Sequence, residues 1–153
     1  MTIRTEDVAS RLAVEDAVVR MFVATDERDW STLEACFTDP FTLDMTSLVG
    51  GGSPTMMTPR EIANAWAEGF KPLSHVHHQV GNFQTTVAGQ NAAVHCYGVA
   101  SHHRAGILAG LKSRIFVGTY ALGLVQSAGR WQINELTFKL KFIDGNFELE
   151  KAI

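Results

Sequence analysis

The half of the sequence that begins at His75 has the pattern of four long β-strands in succession, and this constrains the fold more than any other feature. The segments span roughly 75–88, 92–104, 112–126 and 130–143, and stretches rich in turn-forming residues separate them, as at 88–91 and 127–130. Strands joined by such short turns pair with their chain neighbours in antiparallel fashion. The run therefore predicts an antiparallel meander.

Three helical segments precede the meander, at roughly 6–25, 30–37 and 59–70. The first is predicted to be amphipathic because apolar residues recur at helical spacing. These residues are Val8, Leu12, Val19, Phe22 and Val23. Each of the other two helices begins with a capping residue. Asp29 can cap the second helix, and the third begins with Thr58 as N-cap, proline at N1 and Glu61 at N3.

A short strand between the second and third helices completes the predicted elements. In the segment 41–46, Phe41, Leu43 and Met45 alternate with polar residues, so they share one face. Helices followed by strands favour an α+β fold. A strongly bent mixed or antiparallel sheet wrapped around three N-terminal helices makes a cone, and its open end is a natural apolar binding site. We expect a single domain spanning 1–153.

Composition and charge exclude several classes of function. The chain is 46% hydrophobic and 19% charged, which is typical of a folded domain. Its net charge is -3 and its 13 basic residues are scattered, so nucleic acid is not an expected partner. Cys36 and Cys96 form neither a CxxC pair nor part of a metal-ligand pattern, and are expected to be buried free thiols. Without an apolar leader or a membrane-spanning run, we expect a cytoplasmic protein with no membrane partner.

Histidine is the residue type most able to carry chemistry here, because neutral imidazole both accepts and donates protons. Five of the six histidines lie in two short segments, 74–82 and 101–104. Adjacent residues of a strand point to opposite faces. At most one of His77 and His78, and one of His102 and His103, can therefore enter the cone, and the alternation alone does not choose between them.

The segments 25–30 (TDERDW), 76–82 (VHHQVGN) and 101–104 (SHHR) together resemble scytalone dehydratase and other SnoaL-like proteins, of the nuclear transport factor 2-like class. The similarity runs over nearly the whole chain. It implies that Asp26 orients His102 as the acid–base group and that His78 lines the same pocket. A carboxylate bonded to one ring nitrogen fixes the tautomer, so that the other nitrogen becomes an oriented base. A second imidazole can stabilise a developing enolate or leaving hydroxyl.

The resemblance has departures that bear on the substrate. The two water-holding tyrosines of scytalone dehydratase fall on Thr25 and Met45, and its pocket serine falls on Gly118. Tyr120 can supply a replacement hydroxyl, and Asp44 lies near the position of a carboxylate base in related isomerases. The expected substrate contacts are Phe22, Asp44, Met45, Trp66 and Tyr120.

These observations favour a cofactor-free lyase or isomerase for a hydrophobic, cyclic or aromatic hydroxy-carbonyl compound. The alternatives are a ligand-binding or subunit-stabilising domain, like the small subunit of ring-hydroxylating dioxygenases, and an epoxide hydrolase of the limonene type. The epoxide hydrolase needs an Asp-Arg-Asp cluster, for which only Arg104 and Arg114 are available on strands. No metal is expected, since the His75 and His77 pair lacks further ligands at suitable spacing. Apolar segments at 115–117 and 122–125 predict a homodimer or homotrimer that associates through the outer sheet face.

Overall fold

A computed structural model describes residues 5–151, and the ends of the expected 1–153 domain lie outside the described residues. The helices of the described part are α1 (Thr5–Asp26), α2 (Trp30–Ala35), α3 (Thr46–Val49) and α4 (Pro59–Gly69). Its strands are β1 (Phe37–Asp44), β2 (Thr55–Met57), β3 (His75–Ala88), β4 (Asn91–His103), β5 (Ser113–Ser127) and β6 (Arg130–Gly145). The three predicted helices and four long strands are confirmed, with bounds that differ by two residues or fewer.

The strands form one sheet in the order β2-β1-β6-β5-β4-β3. Strands β3 to β6 pair with their chain neighbours in antiparallel fashion, which confirms the meander. Strand β1 lies parallel to β6 and antiparallel to β2. Helix α1 packs across the sheet against β3 and β6. The chain is thus an α+β fold in which a curved, mixed sheet encloses the helices.

The predicted helix caps form as the sequence indicates. Oδ1 of Asp29 accepts a hydrogen bond from the Thr32 backbone N–H at 3.1 Å. Thr58 and Glu61 form a reciprocal capping box, in which the Glu61 N–H donates to Thr58 Oγ1 and the Thr58 N–H donates to Glu61 Oε2. These caps satisfy backbone donors that a helix start leaves unpaired.

The buried face of α1 differs from the predicted one. Leu12 is 56% exposed and Val23 is 54% exposed, and Val8 and Val19 also face outward. The core instead receives Val14, Ala17, Val18, Met21 and Phe22. Apolar residues lie on both sides of this helix, so the spacing of apolar residues in the sequence does not show which side is buried. The predicted face was wrong except for Phe22.

Two short elements between β1 and α4 were not predicted. The strand expected to reach residue 46 ends at Asp44, whose Oδ1 accepts hydrogen bonds from the Thr46 N–H at 3.0 Å and the Thr46 hydroxyl at 2.6 Å. This turn starts α3, and β2 then pairs with β1. The turn that the Asp44 carboxylate forms therefore ends the strand two residues earlier than the alternating pattern predicted.

A pair of glycines creates space on the inner face of the sheet. Gly98 and Gly118 are directly opposed on β4 and β5. A Cβ on Gly98 would overlap the Tyr120 ring, and a Cβ on Gly118 would lie 2.6 Å from the Phe138 ring. Because glycine has no Cβ, the two aromatic rings can lie directly against the sheet backbone at these positions.

The outer sheet face is less apolar than the sequence suggested. Leu122 and Leu124 are buried on the inner face, and Phe116 also points inward, where it packs against the core. The exposed apolar residues of the outer face are Tyr97, Val99, Ile115 and Phe142. The expected contact surface is corrected to these residues, and a homodimer or homotrimer remains a prediction. Within residues 5–151, every helix is too short or too polar to span a bilayer.

Candidate active site

A cavity of about 140 Å³ lies between the helices and the inner face of the sheet. Six of the residues in its wall carry large aromatic side chains: Phe22, Trp66, Phe70, Phe116, Tyr120 and Phe138. Smaller apolar contributions come from Met21, Met45, Leu48, Ala100 and Leu136. The remaining lining residues, Thr25, His78 and His102, are polar. The cavity therefore offers a compact, mostly apolar enclosure with a few converging polar groups, which is the usual character of a small-molecule site.

Asp26 and His78 form a tightly bonded pair at this cavity. Asp26 is the last residue of α1, and its Oδ1 lies 2.6 Å from Nδ1 of His78. Its Oδ2 accepts the backbone N–H of the same residue at 2.7 Å. Both side chains are largely buried, at 13% and 12% exposure. Because a carboxylate can only accept, Nδ1 carries the proton, and Nε2 is the acceptor of the neutral ring.

The partner of Asp26 differs from the one that the family resemblance implied. The expected hydrogen bond to His102 is wrong, since the carboxylate is bonded to His78. Nδ1 of His102 is buried and makes no hydrogen bond to any residue in 5–151. The two imidazoles do line one cavity, as expected, but the oriented one is His78.

His102 lies in an aromatic and cationic environment. Its ring centroid is 5.0 Å from that of Phe116 and 5.4 Å from that of Phe70. Burial and, in the same direction, the positive charge of Arg114 lower the pKa of His102 from 6.5 to about 4. His102 is therefore neutral near pH 7. A neutral imidazole keeps both one donor and one acceptor.

The other expected substrate contacts divide into two groups. Phe22, Met45, Trp66 and Tyr120 line the cavity. Burial raises the pKa of the Tyr120 phenol above its ordinary value, so this hydroxyl stays protonated and can donate. Asp44 does not line the cavity, because its carboxylate is turned into the Thr46 hydrogen bonds that begin α3. Its expected role as a substrate contact was wrong.

The remaining histidines lie outside the cavity. His77 is 75% exposed, with Nδ1 at 4.0 Å from Oδ2 of Asp26. His103 lies on the outer face, where Nδ1 is 2.7 Å from Ser113 Oγ, and its ring stacks with that of His75. In the described part of the chain, no cluster of three or more histidines, cysteines or carboxylates is arranged to bind a metal.

Arg104 and Arg114, the arginines expected to be available for an epoxide hydrolase, do not build the cluster that this activity needs. Arg104 donates to the backbone carbonyls of Leu149 and Glu150. Arg114 forms a two-pronged ion pair with the Glu150 carboxylate. Neither guanidinium is bonded to an aspartate. Both are committed to the segment that follows β6, and this arrangement disfavours the epoxide hydrolase alternative.

A second concavity, of about 470 Å³, lies on the outside of the molecule between α1, α2 and the β5–β6 turn. It is larger than the inner cavity, but it contains none of the predicted site residues. Its titratable lining residues are Asp16, Arg20, Cys36 and Arg130. Burial raises the pKa of the Cys36 thiol to about 11, which leaves it protonated and unreactive. We therefore place the candidate site in the smaller cavity.

Sequence reasoning missed part of the cavity wall. Phe70, Ala100, Phe116 and Phe138 were not among the expected substrate contacts. Period-two alternation was the available signal, since Ala100 shares a face with His102 and Phe138 is the register partner of Tyr120 on β6. Ion pairing of Arg114 with Glu150 had no comparable signal, because the two residues are 36 positions apart.

Comparison with known proteins places this site in a family. No curated protein sequence matches the chain. A Kribbella flavida protein, Kfla4162, has a similar structure with a TM-score of 0.87 at 22% identity, covering 95% of this chain and 99% of that one. A proposed scytalone dehydratase from Novosphingobium aromaticivorans gives 0.77 at 14%, covering 92% and 89%. A type 2 hexachlorocyclohexane dehydrochlorinase, LinA, gives 0.74 at 14%, covering 91% and 90%.

At these identities the structural likeness establishes the fold alone. The sequence model of the SnoaL-like domain family, by contrast, matches residues 6–137, which is most of the chain and includes Asp26, His78 and His102. The chain belongs to the SnoaL-like domain family.

Proposed function

We propose that this protein is a lyase or isomerase that uses side-chain acid–base chemistry on a compact, uncharged, hydrophobic cyclic or aromatic hydroxy-carbonyl compound. The observation that carries the proposal is the Asp26–His78 pair at the wall of an apolar cavity. A binding or structural domain has no need of a histidine whose ring Nδ1–H and backbone N–H both donate to one buried carboxylate, an arrangement that fixes the tautomer and direction of the ring.

The character of the cavity defines the substrate class. Six aromatic residues and five smaller apolar residues surround the space, and none of the lining residues is an arginine, a lysine or a carboxylate. A charged substrate would lose its hydration there without gaining a counter-ion. The volume of about 140 Å³ favours a single ring or a small fused system. The polar groups that remain suit one or two hydroxyl or carbonyl groups.

The residues divide the chemistry between them in the following way. Nε2 of His78 takes a proton from the carbon beside the substrate carbonyl, and the negative charge of Asp26 stabilises the imidazolium that forms. The electron pair of the broken C–H bond becomes the new double bond as the C–O bond of the β-hydroxyl breaks. His102 and Tyr120 hydrogen-bond the developing oxyanion or the departing hydroxyl. The proton on His78 leaves with that hydroxyl as water.

The names of structural neighbours supply two probe compounds for the same elimination chemistry. Dehydration of scytalone and dehydrochlorination of hexachlorocyclohexane both remove a proton and a leaving group from adjacent carbons. We would incubate the purified protein with each, and with simple cyclic β-hydroxy ketones, following conjugated products by absorbance and chloride by ion chromatography. Turnover of at least one compound is expected.

Paired variants make this test specific to the site. His78→Gln should lower turnover by about 10²–10⁴, the usual contribution of a positioned acid–base group. His75→Gln changes an exposed histidine of the same strand, whose ring stacks with that of His103, and should leave turnover unchanged. Full activity in His78→Gln would exclude this residue as the base. Binding of the compounds, seen as a thermal shift, without turnover of any of them would favour the ligand-binding or subunit-stabilising alternative.

A further inference from the structure

The two imidazoles of the cavity have opposite charged neighbours. His78 contacts the Asp26 carboxylate. His102 is the direct cross-strand partner of Arg114, on the neighbouring strand β5. Residues directly opposite each other on neighbouring strands point to the same side of the sheet, so the side chains of His102 and Arg114 both point to the inner face. The Arg114 guanidinium also lies 4.9 Å from the centre of the Phe116 ring, which packs against His102.

The Arg114 side chain is fixed in this place by the segment that follows β6. Its guanidinium donates to both oxygens of the Glu150 carboxylate and to the Phe147 carbonyl. It is only 12% exposed. Leu149, next to Glu150, is fully buried. The segment is therefore anchored by apolar burial as well as by charge, and it holds a partly buried cation beside the cavity histidine.

We propose that Arg114, held by Glu150, is a positioning residue of the active site that extends towards acid the pH range in which His102 is a neutral imidazole, and so the range in which His78 can take the substrate proton. This role rests on the proposed function. Two imidazolium ions facing one small cavity would repel each other, so protonation of His102 would oppose proton uptake by His78. A cation beside His102 and a carboxylate beside His78 make the two imidazoles unequal in their affinity for a proton.

The charged groups that act on His102 come from four elements. Arg114 on β5 and His78 on β3 disfavour its protonation, whereas Glu150 after β6 and Asp26 at the end of α1 favour it. Burial acts in the same direction as Arg114. The helix α4 side contributes the uncharged Phe70. Among these groups, Arg114 is the cation whose own side chain does not line the cavity.

The test is a pH titration of the His102 ring, followed by NMR of the Cε1–H group in the full-length protein without substrate. Arg114→Met should raise the pKa of His102 by about one pH unit, the smallest effect expected of one neighbouring charge. Arg114→Lys keeps a cation and should restore a low value. This readout does not depend on turnover, so it fails separately from the proposed function.

Arg104→Met is the matched control. Arg104 also anchors the end of the chain, through the Leu149 and Glu150 carbonyls, but it is not a cross-strand partner of His102. The Arg104→Met substitution should leave the pKa of His102 unchanged. If Arg114→Met does not fold, Arg114→Met combined with Glu150→Gln replaces the whole ion pair by neutral groups and should move the titration the same way.

Three outcomes would overturn the inference: an unchanged His102 titration in folded Arg114→Met, an equal change in Arg104→Met, or a failure of Arg114→Lys to restore the low value. If turnover has been found, its acid limb in Arg114→Met should move to higher pH together with the His102 titration. An acid limb that stays in place would refute the link between His102 protonation and the reaction, even where the NMR result holds.

Discussion

Asp26→Asn is the substitution that tests the site most directly, because the carboxylate accepts two hydrogen bonds from His78. One comes from Nδ1 at 2.6 Å and the other from the backbone N–H at 2.7 Å. An asparagine has one acceptor oxygen and one NH₂ group. If the oxygen faces the backbone N–H, the NH₂ group faces Nδ1 and moves the imidazole proton to Nε2. If the oxygen faces Nδ1, two donors oppose each other at the backbone.

The cost can be estimated from the bonds lost. Hydrogen bonds to a charged group contribute about 1.5–3 kcal/mol. Since Asp26 is only 13% exposed, little of this is recovered from water. For a chain of this length, each kcal/mol lowers Tm by about 2–4 °C. We expect Asp26→Asn to reduce Tm by about 3–12 °C. Turnover should fall by about 10⁴, as for the equivalent change in a serine-protease triad.

Tautomer, stability and turnover can be measured separately. Long-range ¹⁵N–¹H NMR of the histidine rings identifies which nitrogen of His78 carries the proton, and differential scanning calorimetry gives Tm. The wild type should show the Nδ1–H form and the variant mainly the Nε2–H form. An unchanged Nδ1–H tautomer with an unchanged Tm would refute the reasoning, because neither bond from Asp26 would then be controlling the ring.

Three further results are expected. Below pH 6.5 the free energy of unfolding should fall until about pH 4, by up to about 3 kcal/mol, because the unfolded chain protonates His102 first; His102→Gln should flatten this part of a denaturation series. Gly98→Ala should cost about 1–3 kcal/mol in urea unfolding by displacing the Tyr120 ring, whereas Gly81→Ala, with open space at its Cβ, should cost little. Thr58→Ala should cost about 1 kcal/mol by the same assay, and a loss near zero would argue against the capping box.

The features that the sequence predicted well are those set by local rules. Strand bounds followed period-two alternation and turn residues, and the capping box at Thr58 needed only its own three residues. Local sequence did not determine which face of α1 is buried. Apolar side chains cover both sides of that helix, so the choice between Leu12 and Val14 depended on how the sheet closes around it.

The candidate site shows the same division between local and long-range information. Alternation limited each histidine pair to one inward member, and family resemblance identified Asp26, His78 and His102. Which imidazole meets Asp26 depends on the register of β3 against the end of α1, over 52 positions of sequence. The diversion of Asp44 into a turn depended on the hydroxyl and N–H of Thr46. Neither choice is encoded by periodicity.

The opposed glycines of β4 and β5 have a consequence for how substrate range can change in this family. Gly118 stands where the resemblance places a pocket serine, but a Cβ there would collide with the backbone carbonyl oxygen of Lys139 and would lie 2.6 Å from the Phe138 ring. A hydroxyl at this position therefore requires the neighbouring strand β6 to shift as well as the ring. Exchange of glycine for serine is thus tied to the spacing of the two strands, and a new polar contact here needs compensating changes in β6.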